Sequence, residues 1–188
     1  MNFNIKIADK SDAHLAATIV NEINYWAGQR VTGITSRTAD YIKKQILNGN
    51  AIIAYAEDGS WAGFTYLEVW SHKKYVANSG LIVHPKYRNY GLCKKLKQIS
   101  FQLATQNYPK AKVFGLTTSL NVMEANAQLG YRMIDYTELR KDEDFENGCS
   151  SIVNYPEILD RLHQDPVCIV MVYDPQSKAS DRRRRKTA

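Results

Sequence analysis

The run Leu81-Ile82-Val83-His84-Pro85-Lys86-Tyr87-Arg88-Asn89-Tyr90-Gly91-Leu92-Cys93 holds the most informative spacing in the chain. An apolar stretch ends, a turn follows and a glycine opens a helix, so unpaired backbone N–H groups and the positive end of a helix dipole converge on one point. Such a point takes an anion. Gly91 allows close backbone approach, while Arg88 and nearby lysines add charge, which is the chemistry of a pyrophosphate site. It is not a nucleotide P-loop, since G-x-x-x-x-G-K is absent, and no G-x-G-x-x-G serves a dinucleotide. Cys93, Cys149 and Cys168 are odd in number, far apart and without a C-x-x-C pair, so reduced thiols are expected, with neither a disulfide framework nor a zinc site.

That turn needs a strand before it and a helix after it, and the chain supplies both. Phe3 to Ala8 alternates as a strand does, and Ser11 or Asp12 then caps a helix to about Trp26. Loop chemistry fills 27–36, before a second helix from about Thr38 to Leu47. Ala51 to Ala56 reads as a buried strand, Asp58-Gly59 turns it into Trp61 to Trp70, and a third strand runs from Tyr75 to Val83. The helix after Gly91, to about Gln106, carries Leu92, Leu96, Ile99 and Leu103 on one stripe, with Lys94, Lys95, Lys97 and Gln98 largely elsewhere. Downstream the pattern predicts a strand Lys112 to Thr118, a helix Leu120 to Leu129 stopped by Gly130, and a strand Tyr131 to Leu139. A polar excursion Lys141 to Ser151, a short helix Pro156 to Leu162 and a last strand Val167 to Tyr173 complete the domain. Hairpins and helical crossovers in one sheet make the class α+β, one domain over 1–175 followed by a basic tail, 176–188, that reads as disordered.

The chain has 188 residues, 44% of them hydrophobic, enough for one real core. No apolar run approaches the ~20 residues of a membrane span, and Met1 to Asp9 lacks the build of a signal peptide, so a cytoplasmic protein is expected. Of the net charge of +6, the segment from Lys178 onward carries +5, chiefly Arg182 to Lys186. The domain itself is therefore nearly neutral, and nucleic acid is not expected as a partner beyond what that tail could touch.

Arg88-Asn89-Tyr90-Gly91-Leu92-Cys93 resembles the acyl-CoA motif of the GNAT acyltransferase superfamily, Arg/Gln-x-x-Gly-x-Gly/Ala, with Cys93 where Gly or Ala is usual. The element order over residues 3 to 173 is similar to that family's, which implies a single-domain GNAT fold, a mixed sheet of about seven strands flanked by helices. Thr32-Gly33-Ile34, the segment Lys74 to Val83, Phe114-Gly115-Leu116-Thr117-Thr118 and Tyr173-Asp174-Pro175 further resemble a GNAT subgroup of arginine-biosynthesis gene clusters, proposed to acylate the α-amine of glutamate.

The resemblance implies acetyl-CoA or another acyl-CoA as co-substrate, no metal, and direct attack by an amine without an acyl-enzyme. Backbone groups of Leu81, Ile82 and Val83 would hold the pantetheine and polarise the thioester, and Arg88, Asn89, Tyr90, Gly91, Leu92 and Cys93 would hold the pyrophosphate. The amine must lose a proton, and Glu68 and His72 are the candidates, with His84 a third. The tyrosine that commonly protonates the thiolate would fall at Asn126, a poor donor, leaving Tyr131 or Tyr155 as substitutes. Arg37, then Arg30, would bind the carboxylate of an acidic acceptor. A small-molecule amine is the expected partner, and open sheet edges would suit a homodimer. Two other readings stand beside this one, a protein amine as acceptor and a weakly catalytic acyl-CoA sensor.

Overall fold

The computed structural model describes residues 1–28, 37–70, 72–117, 119–135, 138, 141–143, 145 and 169–177. Seven strands form one sheet: β1 (Phe3–Ile7), β2 (Ala51–Ala56), β3 (Trp61–Trp70), β4 (Tyr75–Val83), β5 (Lys112–Thr117), β6 (Arg132–Ile134) and β7 (Ile169–Tyr173). Their order is β1-β2-β3-β4-β5-β7-β6. All neighbours are antiparallel except β4 and β5, whose parallel pairing requires the crossover through α3 (Leu92–Asn107). The remaining helices are α1 (Ala16–Gly28), α2 (Ala39–Leu47) and α4 (Leu120–Gln128).

Side chains alternate across β3, so its two faces build two cores. Phe64 and Tyr66 pack with Ile53 and Ile82 against Ile19 and Ile23 of α1 and Ile42 and Ile46 of α2. Leu67 and Val76 pack on the other face with Leu92, Leu96 and Leu103 of α3, Val113 and Met171.

Strands β2, β3 and β4 have the bounds expected of them, and Thr38 caps α2 by accepting from the Tyr41 N–H at 3.1 Å. The first helix differs at its start. A 3-10 turn, Lys10–Leu15, precedes α1, and its cap is Asp9 rather than Ser11 or Asp12. The Asp9 carboxylate accepts from Ser11 N at 2.8 Å, and Asp12 answers from the Asp9 N–H at 2.8 Å, a reciprocal capping box. Asp12 is then held buried by Lys6 at 2.9 Å and the Tyr55 hydroxyl at 2.5 Å.

β6 is far shorter than the expected Tyr131 to Leu139, because a turn closes after it, with Glu138 N donating to Asp135 O at 3.0 Å. The polar excursion is anchored at Phe145, which is fully buried among Trp70, Tyr75 and Phe114. Gln176 and Ser177, expected in the disordered tail, form a helical turn after Asp174, whose carboxylate accepts from Gln176 N at 2.8 Å. The helix expected at Pro156 to Leu162 and the tail from Lys178 lie outside the described residues. Among the described residues no helix is long and apolar enough to cross a membrane.

Candidate active site

The sheet opens in its middle. β4 and β5 pair only at Tyr75–Lys112, Val76–Val113 and Ala77–Phe114, after which β4 continues to Val83 beside β3 and β5 continues to Thr117 beside β7. Past Ala77 the backbone of β4 therefore runs along a gap instead of a ladder, and Leu81, Ile82 and Val83 lie on it.

β4 bulges against β3 along this unpaired stretch. Phe64 pairs with Ile82 but Tyr66 pairs with Ser79, so β4 carries one extra residue against β3. Gly80 sits there at φ 61°, and a β-carbon on it would lie 2.3 Å from Cε1 of Tyr66. Only glycine meets both demands.

The gap leads to the turn after β4. His84 caps a short 3-10 turn, Pro85–Tyr87, and Asn89 and Gly91 take left-handed φ values of 68° and 75° before α3 begins. Among the described residues no side chain caps α3, and a β-carbon at Gly91 would meet nothing within 4 Å. Uncapped N–H groups in open space fit an anion, as the sequence predicts for residues 88 to 93. Asn89 and Tyr90 are exposed, Leu92 is buried beneath the helix and Cys93 is partly covered, burial raising its thiol pKa. Arg88 folds back, with Nε donating to Val83 O at 3.2 Å and the guanidinium 3.9 Å above the Trp26 ring.

On the α1–α2 face, Glu68 is 7% exposed and accepts a hydrogen bond from the Tyr41 hydroxyl. Burial raises the Glu68 pKa, while hydrogen bonds from Tyr41 and Tyr66 and the Arg37 charge restrain the rise. Arg37 Nε donates to the Tyr66 hydroxyl at 2.9 Å, and burial pushes that phenol up to about 12. Glu68 and Arg37, named separately from the sequence, thus belong to one cluster completed by Tyr41 and Tyr66. The latter two were legible in principle: Tyr41 lies four residues beyond Arg37, and Tyr66 two residues before Glu68 on one strand face.

The other face holds a second polar cluster where the gap begins. Asn78, the first β4 residue past the ladder, donates to Thr65 Oγ1 at 3.1 Å and accepts from Lys97 Nζ at 2.6 Å. Lys97, though off the apolar stripe of α3, is only 4% exposed, and burial lowers its pKa to about 8. Asn126 is fully buried nearby; its Nδ2 lies 3.7 Å from Met171 Sδ and its Oδ1 has no partner among the described residues. A β-carbon on Gly115 of β5 would stand 3.5 Å from Asn126 Nδ2 and 3.9 Å from Lys97 Nζ, so both side chains reach the same point of the gap.

The other predicted residues lie elsewhere. His72 is exposed in the β3–β4 turn at φ 51°. His84 packs against Trp61, ring centroids 5.9 Å apart, with Nδ1 accepting from Lys86 N at 3.3 Å. Tyr131 is buried, its phenol pKa raised by that burial, with its ring 6.0 Å from Lys97 Nζ. Arg30 and Tyr155 lie outside the described residues.

Against known proteins, no family model matches the chain, and no curated protein does. Solved structures do match. A GNAT superfamily phosphinothricin acetyltransferase from Sinorhizobium meliloti with acetyl-CoA aligns over 71% of this chain and 77% of that one, at TM-score 0.56 and 15% identity. This chain has the GNAT fold. Rv2747 from Mycobacterium tuberculosis in complex with CoA shares that fold at TM-score 0.68 and 20% identity, over 91% of this chain and 98% of that one. N-acetylglutamate synthase from Neisseria gonorrhoeae, with coenzyme A and N-acetyl-glutamate, shares it at TM-score 0.61 and 15% identity over 93% of this chain. The chain spans 35% of that synthase's length. The opening between β4 and β5 and the α3 turn are thus built into a GNAT fold.

Proposed function

We propose that the protein is an acyl-CoA-dependent N-acyltransferase, with acetyl-CoA the leading donor and a small amine bearing a carboxylate, glutamate first among them, as acceptor. The observation that carries the reading is the gap between β4 and β5: the uncapped, glycine-started α3 follows β4 at one end, and at the other Ala77, the last β4 residue paired with β5, is in register with the buried Glu68 of β3. The Neisseria synthase, bound to coenzyme A and N-acetyl-glutamate, shares the fold and supports the choice of acceptor.

Acyl-CoA supplies the activated carbonyl. The turn Arg88 to Cys93 offers backbone N–H groups to its pyrophosphate, and the edge of β4 left unpaired by β5 at Leu81 and Ile82 offers amide partners to its pantetheine. The acceptor approaches from the α1–α2 face, where Arg37 meets its carboxylate and Glu68 takes the amine proton. Burial brings the Glu68 pKa upward toward the working range of a general base, which an exposed glutamate would not reach. The attack forms a C–N bond and breaks the C–S bond, so no covalent enzyme intermediate is needed.

The test is release of free coenzyme A from acetyl-CoA and succinyl-CoA, each with an amino-acid panel, for the natural protein and Arg37→Ala. Turnover with glutamate that falls at least tenfold in kcat/KM in the variant supports reaction and acceptor together. Turnover with a different amine, unaffected by Arg37→Ala, keeps the reaction and discards glutamate. Binding of both donors without turnover of any amine overturns the enzyme reading in favour of a sensor.

A further inference from the structure

Lys97 is a cation buried with no counter-charge beside it among the described residues. Its helix offers the Cys93 thiol one turn back, Asn78 comes from β4, Asn126 from α4, Gly115 from β5, and the Tyr131 ring lies beyond. Cys93 and Tyr131 are the titratable groups facing Nζ, and the described residues bring no carboxylate to it. A lysine drawn into a protein interior to hydrogen-bond a neutral carboxamide is expensive to keep charged. Its position explains the arrangement: Asn78 and Gly115 are the first residues past the β4–β5 ladder, so the ammonium stands at the closed end of the gap.

We propose that Lys97 is the general acid of the transfer, donating a proton from Nζ to the sulfur of the departing coenzyme A. The inference rests on reading the gap as the acyl-CoA site. When the amine attacks, the C–S electron pair moves onto sulfur and leaves a thiolate in a low-dielectric cleft. Lys97 gives that sulfur its proton, becomes a neutral amine and is reprotonated from water, while Glu68 carries away the proton lost by the acceptor. Free thiols titrate at about 8.5, close to the value of about 8 to which burial brings Lys97, so the transfer is nearly balanced. Asn126, which reaches the same point, has only an amide to offer and cannot serve as the acid.

Glu68 and Lys97 lie on opposite faces of the sheet. Glu68 follows Tyr66 on the α1–α2 side, whereas Lys97 meets Asn78 on the α3 side, where Asn78 bonds Thr65. A thioester threaded between β4 and β5 would have a proton acceptor on one side and a donor on the other, so the two transfers do not compete for one group.

The test is the ultraviolet thiolate band of bound coenzyme A, titrated with pH against the desulfo analogue, in the natural protein, Lys97→Met and Lys97→Arg. In the natural protein the bound thiol should titrate at lower pH than in Lys97→Met. Lys97→Met should abolish that shift and lower kcat about 100-fold, with KM for acyl-CoA changed less than threefold. Lys97→Arg keeps the charge but cannot release a proton near neutral pH, so it should retain the thiolate shift and lose turnover. Coenzyme A bound equally by the natural protein and Lys97→Met, with the same thiol titration, overturns the proposal. Loss of succinyl-CoA use alone in Lys97→Met, with acetyl-CoA turnover intact, overturns it too and makes Lys97 a carboxylate anchor. Failure of the natural protein to bind coenzyme A would strike the acyl-CoA reading itself, a result visible before any variant is compared.

Discussion

Gly80→Ala is the sharpest perturbation of the architecture that opens the sheet. Two costs follow from the structure. At φ 61° an alanine sits in the left-handed region, at ~1–2 kcal/mol, and its β-carbon would lie 2.3 Å from Cε1 of Tyr66, a contact that something must relieve. Tyr66 is fully buried between Tyr41 and Phe64, with ring centroids 6.0 and 6.1 Å away, so moving its ring disturbs those contacts. Forcing an extra methyl into such packing costs ~1–3 kcal/mol, and the total is ~2–5 kcal/mol. The control is Gly49→Ala, at φ 69° with nothing within 4 Å of the added carbon, where only the backbone cost applies. Urea unfolding of both variants, followed by far-ultraviolet circular dichroism, separates the two contributions. Gly80→Ala should lose at least ~1 kcal/mol more than Gly49→Ala, in line with the packing cost. Equal losses would refute the claim that Tyr66 closes over the bulge.

Lys97→Met should stabilise the ligand-free protein at pH 7. The fall of the lysine pKa from 10.5 to about 8 corresponds to ~3 kcal/mol of burial cost, part of which is offset when Asn78 loses its donor, leaving a net gain of ~1–2 kcal/mol. Because the folded lysine holds its proton less tightly than the unfolded one, natural-protein stability should rise between about pH 8 and 10.5, and urea unfolding of Lys97→Met should show no such rise. Tyr41→Phe removes a hydrogen bond that favours the ionised Glu68, so the acid limb of kcat/KM should move to higher pH; an unmoved limb would exclude Glu68 as the base.

The sequence was most legible where one periodicity dominates. The strands Ala51–Ala56, Trp61–Trp70 and Tyr75–Val83 are bracketed by turn residues, and Gly91 marks the start of α3. Legibility fails where burial is shared with polar side chains. On α3, Cys93, Lys97, Ser100 and Ala104 form a second ridge beside Leu92, Leu96, Ile99 and Leu103, at about 100° per residue, and the helix buries Lys97, Ser100 and Ala104 from it because it lies across β3 and β4 and also touches α4 and β5. Three clustered lysines read as a solvated face, and nothing local distinguishes the one aimed at the gap. Glu68 and Arg37 were recognisable as chemistry-bearing residues, but their meeting depends on α2 packing over β3, a long-range contact that spacing does not encode. The Asp9 cap was hidden because Ser11 and Asp12 are equally good capping types, and the 3-10 turn decides among them.

The pairing of β4 with β5 by three register pairs has a consequence for how the molecule comes apart. The strands β1 to β4 form one continuous antiparallel block, and β5, β7 and β6 form another. Cooperative units divide where backbone pairing is sparse, so local opening should run between these blocks, and amide protons flanking the gap should exchange by a route that leaves each block intact. A coenzyme lying along that line would act as a dowel. Its binding would slow exchange in β5 and β7 as well as in β4, joining two blocks that the polypeptide itself only tacks together.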